Sequence, residues 1–361
     1  MSGPPTVRLT TSRTLRHSFN IPKVDTMLAI LAPFTAGAAV IVVAGIFLTR
    51  FADAIADLTG WGRLLVGSIL LAGATSVPEL AVDTNAILLG QPNLAAGDLL
   101  GSCLCNLLVL AVLDLSHFSR GRMLSPLASA HALSGLMSIV LCSVAVLAIL
   151  TRPTLELPVG LGVGSLAILV VYLGGSRLVY FDQRMAARPD TPGPDQAVLM
   201  PAHPRMGLAK AVGGFVAAGA AIVMAAPYLA HAGNDLAERS GLGQTFVGTT
   251  LVAVSTSLPE LVASLAALRL GAYDLAIGNV FGSNSFNIAM LAVLDAVQPG
   301  PILSIIAPVN AMTGVAVILV TAVAISGQLY RVEARVHFIE PDAFMVVALA
   351  LGAMALVYWF G

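Results

Sequence analysis

The 361-residue chain is 57% hydrophobic and only 10% charged, with a formal net charge of −1 and a mean hydropathy of +0.90. Soluble domains carry about 25% charged residues, so a water-soluble globular fold is excluded, and the near-neutral balance excludes a nucleic-acid partner. Cys103, Cys105 and Cys142 all lie inside apolar stretches; without zinc-ligand or secreted-disulfide spacing they read as buried small hydrophobes.

A tail, residues 1–26, carries Arg8, Arg13, Arg16 and Lys23. The apolar run that follows, 27–49, is longer than the 7–15 residues of a signal-peptide core, and reads as a retained first span. Further runs of spanning length, each needing roughly 20 residues, follow at 63–89, 94–115, 126–150 and 156–180, then at 208–231, 244–270, 275–296, 302–326 and 341–360. Between the two sets of five, residues 181–207 hold Pro189, Pro192, Pro194, Pro201 and Pro204 among Arg184, Arg188, Asp190 and Asp195. Such a segment is a solvated linker. It separates a first repeat, 27–180, from a second, 208–361.

An offset of 181 residues brings the halves into gapless register. Gly67 then meets Gly248, Thr75 meets Thr256, Ser76 meets Ser257, Pro78 meets Pro259 and Glu79 meets Glu260; further on, Ser102 meets Ser283, Asn106 meets Asn287 and Asp114 meets Asp295. The identities fall on polar and glycine positions, which chance similarity between apolar runs does not produce. Five spans per copy is an odd number, so the second copy enters the membrane from the opposite side. The predicted fold is an all-α polytopic membrane protein of about ten transmembrane helices, arranged as two inverted five-helix repeats. Loops after the odd-numbered spans carry twice as many Lys and Arg residues as the other side, which places the linker in the cytoplasm and both termini outside.

Spans 2 and 7 contain Thr75-Ser76-Val77-Pro78-Glu79 and Thr256-Ser257-Leu258-Pro259-Glu260. Proline lacks an N–H, so Pro78 and Pro259 free the carbonyls of Ala74 and Ser255 and bend or break the helix. Freed carbonyls, hydroxyls and a carboxylate are the oxygen donors that Ca2+ and Na+ prefer. A carboxylate at mid-membrane costs on the order of 3 kcal/mol, and no Lys, Arg or His lies in the middle of any span to pair with one. Spans 3 and 8 add Ser102 with Asn106 and Ser283 with Asn287, each pair four apart and on one helix face.

These motifs, TSVPEL at 75–80 with GSCLCNLL at 101–108 and TSLPELVAS at 256–264 with GNVFGSNSFNI at 278–288, resemble those of the cation/calcium exchanger superfamily, in particular its sodium/calcium exchanger branch without a large regulatory domain. The resemblance implies a secondary antiporter in the plasma (inner) membrane. Glu79 and Glu260 would be the Ca2+ carboxylates, and Thr75, Ser76, Thr256, Ser257, Ser102, Ser283, Asn106 and Asn287 further ligands for Ca2+ or Na+. It also implies that spans 1 and 6 move against the other eight. Some members carry Asp where this chain has Asn287, and GSCLCN replaces the usual GSN-x-x-N. Proton-coupled members often show Gly-Asn-x-x-Glu where this chain has TSxPE, which favours Na+ over H+ as the coupling ion.

Two more acids extend the pattern. Asp98 precedes Ser102 by four residues, opposite Asn279 in the second copy, and Asp83 follows Glu79 by four, opposite Ser264. Either is a candidate third carboxylate, although their places towards the span ends also fit helix-end or water-exposed polar residues. Asp114 and Asp295 close their helices and read as structural. Inorganic cations and lipid are the expected partners, with no cofactor and no enzymatic site: no His lies near the motifs, and no intramembrane Asp pair is duplicated at mid-depth to serve a hydrolase. A cation channel would need a continuous pore, usually among symmetry-related subunits; an inverted repeat in one chain argues for exchange.

Overall fold

The computed structural model describes residues 24–116, 129–157, 160–186, 206–240, 253–329 and 341–360. Among them the secondary structure is helical except for one isolated antiparallel bridge between Glu156 and Gly162. In chain order the helices are α1 (Val24–Thr59), α2 (Arg63–Leu88), α3 (Pro92–Ser116), α4 (Ser129–Thr151), α5 (Val163–Ala186) and α6 (Leu208–Ser240). The second half continues with α7 (Ala253–Thr256), α8 (Leu258–Arg269), α9 (Tyr273–Asp295), α10 (Ile302–Ile305), α11 (Pro308–Leu329) and α12 (Pro341–Phe360). Eight are long and apolar enough to cross a membrane, and α12 contains a shorter apolar stretch, Ala343–Trp359. Helices α7 and α8 are the described part of the seventh span. Residues 244–252 of that span, 126–128 of the fourth and 187–205 of the linker lie outside the described residues.

The outer surface is apolar. Val43, Leu147, Leu173, Val216, Met224 and Trp359 are exposed, as lipid-facing residues must be where no water competes for them. Most of the buried polar groups lie instead on α2, α3, α8 and α9. Helices α3 and α9 are the most enclosed spans, whereas α5 and α6 keep most of their surface outward. Helix α9 touches α2, α3, α4, α5 and α8, and α1 lies along α6 at one side of the bundle. Under the 181-residue register α1 and α6, α3 and α9, and α4 and α11 are equivalent pairs, and each pair is in contact. The repeat therefore folds back on itself about a pseudo-two-fold axis.

Several boundaries differ from the sequence reading. The fifth span starts at Val163 rather than 156, because residues 155–157 pair back against residues 161–163: Leu157 N donates to Leu161 O, Val163 N donates to Leu155 O, and Gly160 has φ +80°. The ninth is split. Ile306 is extended (ψ 134°), and Ala307, which precedes Pro308, is disfavoured in helix by that proline, so the chain resumes as helix only at Pro308. Helices α1 and α6 overrun their expected ends. At 1.5 Å per residue, the 36 residues of α1 span about 54 Å, well beyond the roughly 30 Å hydrocarbon layer.

Candidate cation-binding site

The two proline motifs adopt different backbones. In the second half the helix breaks at Ser257 (φ −77°, ψ 5°), and Pro259 sits in the first turn of α8, where its missing N–H costs nothing. In the first half α2 runs through Pro78 without a break, and the irregularity is displaced upstream into a π-helical segment, Val66–Leu71. The expected bend-or-break is thus a true break only in the second copy. In both, the proline leaves a carbonyl, that of Ala74 or Ser255, without its i+4 amide.

The π segment lies directly on α9. A Cβ added to Gly278 would come 2.7 Å from Leu64 O, one on Gly67 would come 2.6 Å from Leu275 O, and one on Gly282 would overlap the Ser68 backbone. Backbone against backbone at this distance requires glycine. It locks the first turns of α2 to α9.

Glu79 and Glu260 are both fully buried and close enough to interact electrostatically. Ser76 Oγ donates to Glu260 Oε1 at 3.0 Å. Glu260 Oε2, both carboxyl oxygens of Glu79, Ser257 Oγ, Ser283 Oγ and both polar atoms of the Asn287 side chain have no hydrogen-bond partner, although all are buried. Buried polar groups are normally paired, so this concentration of unpaired polar atoms on α2, α8 and α9, most of them oxygens with spare electron pairs, is unusual for a membrane interior. Among the described residues the ion pairs join Arg63 to Asp53 and Asp57 and His131 to Asp274; none reaches Glu79 or Glu260.

Other expected residues are partly committed to holding helices together. Thr75 Oγ1 is 3.1 Å from Leu71 O, 3.2 Å from Ala72 O and 3.4 Å from Asn279 Oδ1. Its equivalent, Thr256, donates to Asp98 Oδ1 at 2.9 Å and lies 3.3 Å from Ser102 Oγ. The Thr75–Asn279 and Thr256–Asp98 contacts are related by the internal symmetry. Asn106 Nδ2 donates to Asn284 Oδ1 at 3.0 Å, which leaves its own Oδ1 without a partner.

Asn284, which the sequence reading did not single out, sits where the equivalent helices α3 and α9 cross. It donates to Cys103 O at 3.3 Å and accepts the Cys103 thiol on its backbone carbonyl at 3.6 Å. Cys103 and Asn284 are equivalent to each other, so this contact marks the pseudo-two-fold axis. The signal was present: Asn284 is the polar partner of the one position at which the GSN pattern of the first copy is lost. All three described cysteines are free and buried. Asp83 and Asp98 are not water-exposed; each is 1% accessible, because α8 and α9 close over α2 and α3 at that level. Asp295 accepts Gly162 N at 2.6 Å and Ile302 N at 2.5 Å, the structural role expected of it.

The family model described as sodium/calcium exchanger protein matches the chain twice, at residues 29–176 and 210–359, with starts offset by the same 181 residues as the internal repeat. The putative antiporter CaxA of Alkalimonas amylolytica is 31% identical over 254 residues, covering 70% of this chain and 75% of that protein. The sodium/calcium exchanger MaX1 of Methanosarcina acetivorans is 37% identical over 144 residues, 39% of this chain and 41% of that one. Among solved structures, the sodium-calcium exchanger NCX_Mj soaked with Na+ and Sr2+ superposes with a TM-score of 0.65 at 19% identity, covering 91% of this chain and 98% of its own. That likeness establishes the all-helical, inverted-repeat fold.

Proposed function

The chain belongs to the sodium/calcium exchanger protein family, and from that premise we propose that it exchanges Ca2+ for Na+ at the Glu79–Glu260 site by alternating access. The observation that carries the reading is the pair of fully buried, symmetry-related glutamates, three of whose four carboxyl oxygens have no donor. Two carboxylates balance one Ca2+. The unpaired oxygens of Ser257, Ser283 and Asn287, with the freed carbonyls of Ala74 and Ser255, supply the larger oxygen set that Ca2+ takes. Ser76, Thr75, Thr256, Ser102 and Asn106 complete it by releasing the contacts they now make. When Ca2+ leaves, the same oxygens are refilled by Na+, so the site is never crossed with its charges bare. The sodium/calcium exchanger name of MaX1 supports Na+ as the coupling ion.

Alternation needs a part that moves. Helices α1 and α6 fit it: they pack along each other at the side of the bundle and meet the core chiefly at α2 and α8, where Thr49 Oγ1 donates to Ala263 O at 3.2 Å. The family resemblance favours the plasma (inner) membrane, and the Lys and Arg distribution favours a cytoplasmic linker.

Sealed vesicles containing the full chain test the function. Uptake of radiolabelled Ca2+ should require an outward Na+ gradient and vanish in Glu79→Gln and Glu260→Gln. Uptake driven by a pH gradient and indifferent to Na+ would replace Na+ with H+ as the coupling ion. A Ca2+ current that needs no opposing gradient would make the protein a channel and overturn the proposal.

A further inference from the structure

Besides the glutamates, α2 and α3 bring a second pair of carboxyls together. Asp83 lies one turn after Glu79, and Asp98 one turn before Ser102; their carboxyl groups face each other closely enough to interact. Both are 1% exposed. Neither oxygen of Asp83 has a donor, and Asp98 Oδ2 has none. Asp98 Oδ1 accepts the Thr256 hydroxyl at 2.9 Å, and Ser102 Oγ lies 3.3 Å from that same hydroxyl. The other titratable groups facing the pair are Glu79, Glu260 and Cys105. The described ion pairs of Arg63 and His131 lie elsewhere.

The second half shows what this position needs in order to pack. Ser264 and Asn279, the equivalents of Asp83 and Asp98, are both fully buried, and Asn279 Nδ2 donates to Ser264 Oγ at 3.2 Å. That pair is neutral and satisfies itself. The fold therefore does not require carboxylates here, yet the first half places two of them face to face, with three oxygens lacking a proton donor. Two buried carboxylates in contact repel one another unless a cation or a shared proton lies between them.

We propose that Asp83 and Asp98, with the hydroxyls of Thr256 and Ser102, form a Na+ site beside the Glu79–Glu260 site. The donors are all hard oxygens, which selects an alkali or alkaline-earth cation. Four side-chain ligands fall short of the 6–8 oxygens that Ca2+ takes. A smaller coordination set with a surplus of negative charge suits Na+; this choice of ion rests on the exchange reading above. Thr256 belongs to both sites, so filling one changes the hydroxyl available to the other.

The test installs the second half's neutral pair in the first. The full chain carrying Asp83→Ser with Asp98→Asn is purified in detergent, and equilibrium binding of radiolabelled Na+ is counted per chain against the unmodified protein. The expected result is one Na+ fewer per chain, with a lower Hill coefficient for Na+ in Ca2+ exchange. Equal counts in two monodisperse proteins overturn the site. If the double variant does not fold, Asp83→Asn, which leaves the Asp98–Thr256 bond in place, carries the same measurement, and an unchanged count there is equally decisive. Absence of Na+-driven Ca2+ uptake in the unmodified protein strikes the exchange reading. Unchanged Na+ binding in a protein that does exchange strikes the Asp83–Asp98 site alone.

Discussion

Ser76 donates to Glu260 across the two halves at 3.0 Å, whereas the equivalent bond from Ser257 to Glu79 is not made: Ser257 Oγ and both Glu79 carboxyl oxygens have no partner. Two equivalent motifs thus stand in different states, one with its hydroxyl engaged and its helix continuous, the other with its hydroxyl free and its helix broken at Ser257. An inverted repeat whose halves differ in conformation has a mirror state in which the roles are exchanged. Interconversion of two such states is what alternating access requires.

The inequality of Ser76 and Ser257 can be measured. Ser76→Ala removes a hydrogen bond to a carboxylate, worth about 1.5–3 kcal/mol, and should lower the melting temperature of the ion-free protein. Ser257→Ala removes a buried hydroxyl that bonds to nothing in this state, and should leave ion-free melting unchanged or raise it. On addition of Ca2+ the order reverses in Ser257→Ala, which loses a ligand and gains less stabilisation from binding. Thermal melts of both variants with and without Ca2+ check it; equal ion-free losses would contradict the asymmetry.

Glu79 carries two unpaired oxygens beside a second carboxyl, so ionising it opposes folding until a cation arrives. Glu79→Gln should therefore stabilise the ion-free protein, by on the order of 3 kcal/mol if the whole cost of a mid-membrane charge is relieved. The same variant should lose the Ca2+-induced rise in melting temperature and the uptake of Ca2+. Denaturation curves in chelator and in Ca2+ separate the two effects. A variant destabilised in chelator would mean that Glu79 has a structural partner.

Much of this architecture was legible beforehand because polar residues in a membrane span are conspicuous and the chain repeats itself. The register placed Glu79, Glu260, Thr75 and Thr256 on equivalent helices, and their burial together needed no further information. The π segment at Val66–Leu71 could not be read, because apolar residues carry no mark of a widened turn; only contact with α9 through Gly67 and Gly278 explains it. Asp83 and Asp98 were legible as acids but not as a pair, since their meeting depends on how α2 and α3 cross. The split at Ile306 is signalled by Pro308 alone, because the apolar run 302–326 carries no other mark of a break.

Glycine contacts make a second kind of prediction. A Cβ at Gly278 would lie 2.7 Å from Leu64 O and 3.2 Å from Ser68 N, both backbone atoms with little freedom to retreat. Gly278→Ala should cost about 1–3 kcal/mol by overpacking and slow exchange, because it pushes the first turns of α2 away from α9. Gly73, in the first turn of the α-helical part of α2, has nothing within 4 Å of an added Cβ. Gly73→Ala should instead gain about 0.5–1 kcal/mol from helix propensity. Melting temperatures of opposite sign in the two variants would support the close approach of the two backbones.

Asp295 offers a test outside the cation site. Its two carboxyl oxygens accept Gly162 N at 2.6 Å and Ile302 N at 2.5 Å, so one side chain at the end of α9 ties down both the turn before α5 and the start of α10. An amide at this position accepts through only one oxygen and presents an NH2 group to the other donor. Asp295→Asn should leave one buried N–H facing another donor, at a cost of about 1–3 kcal/mol, and lower the melting temperature equally with and without Ca2+. Its affinity for Ca2+ should stay as in the unmodified protein, since Asp295 reaches none of the site residues by these contacts. Hydrogen exchange at the Gly162 and Ile302 amides locates the effect: faster exchange at one or both is expected, and full protection at both would mean the turns are held by something other than the carboxylate.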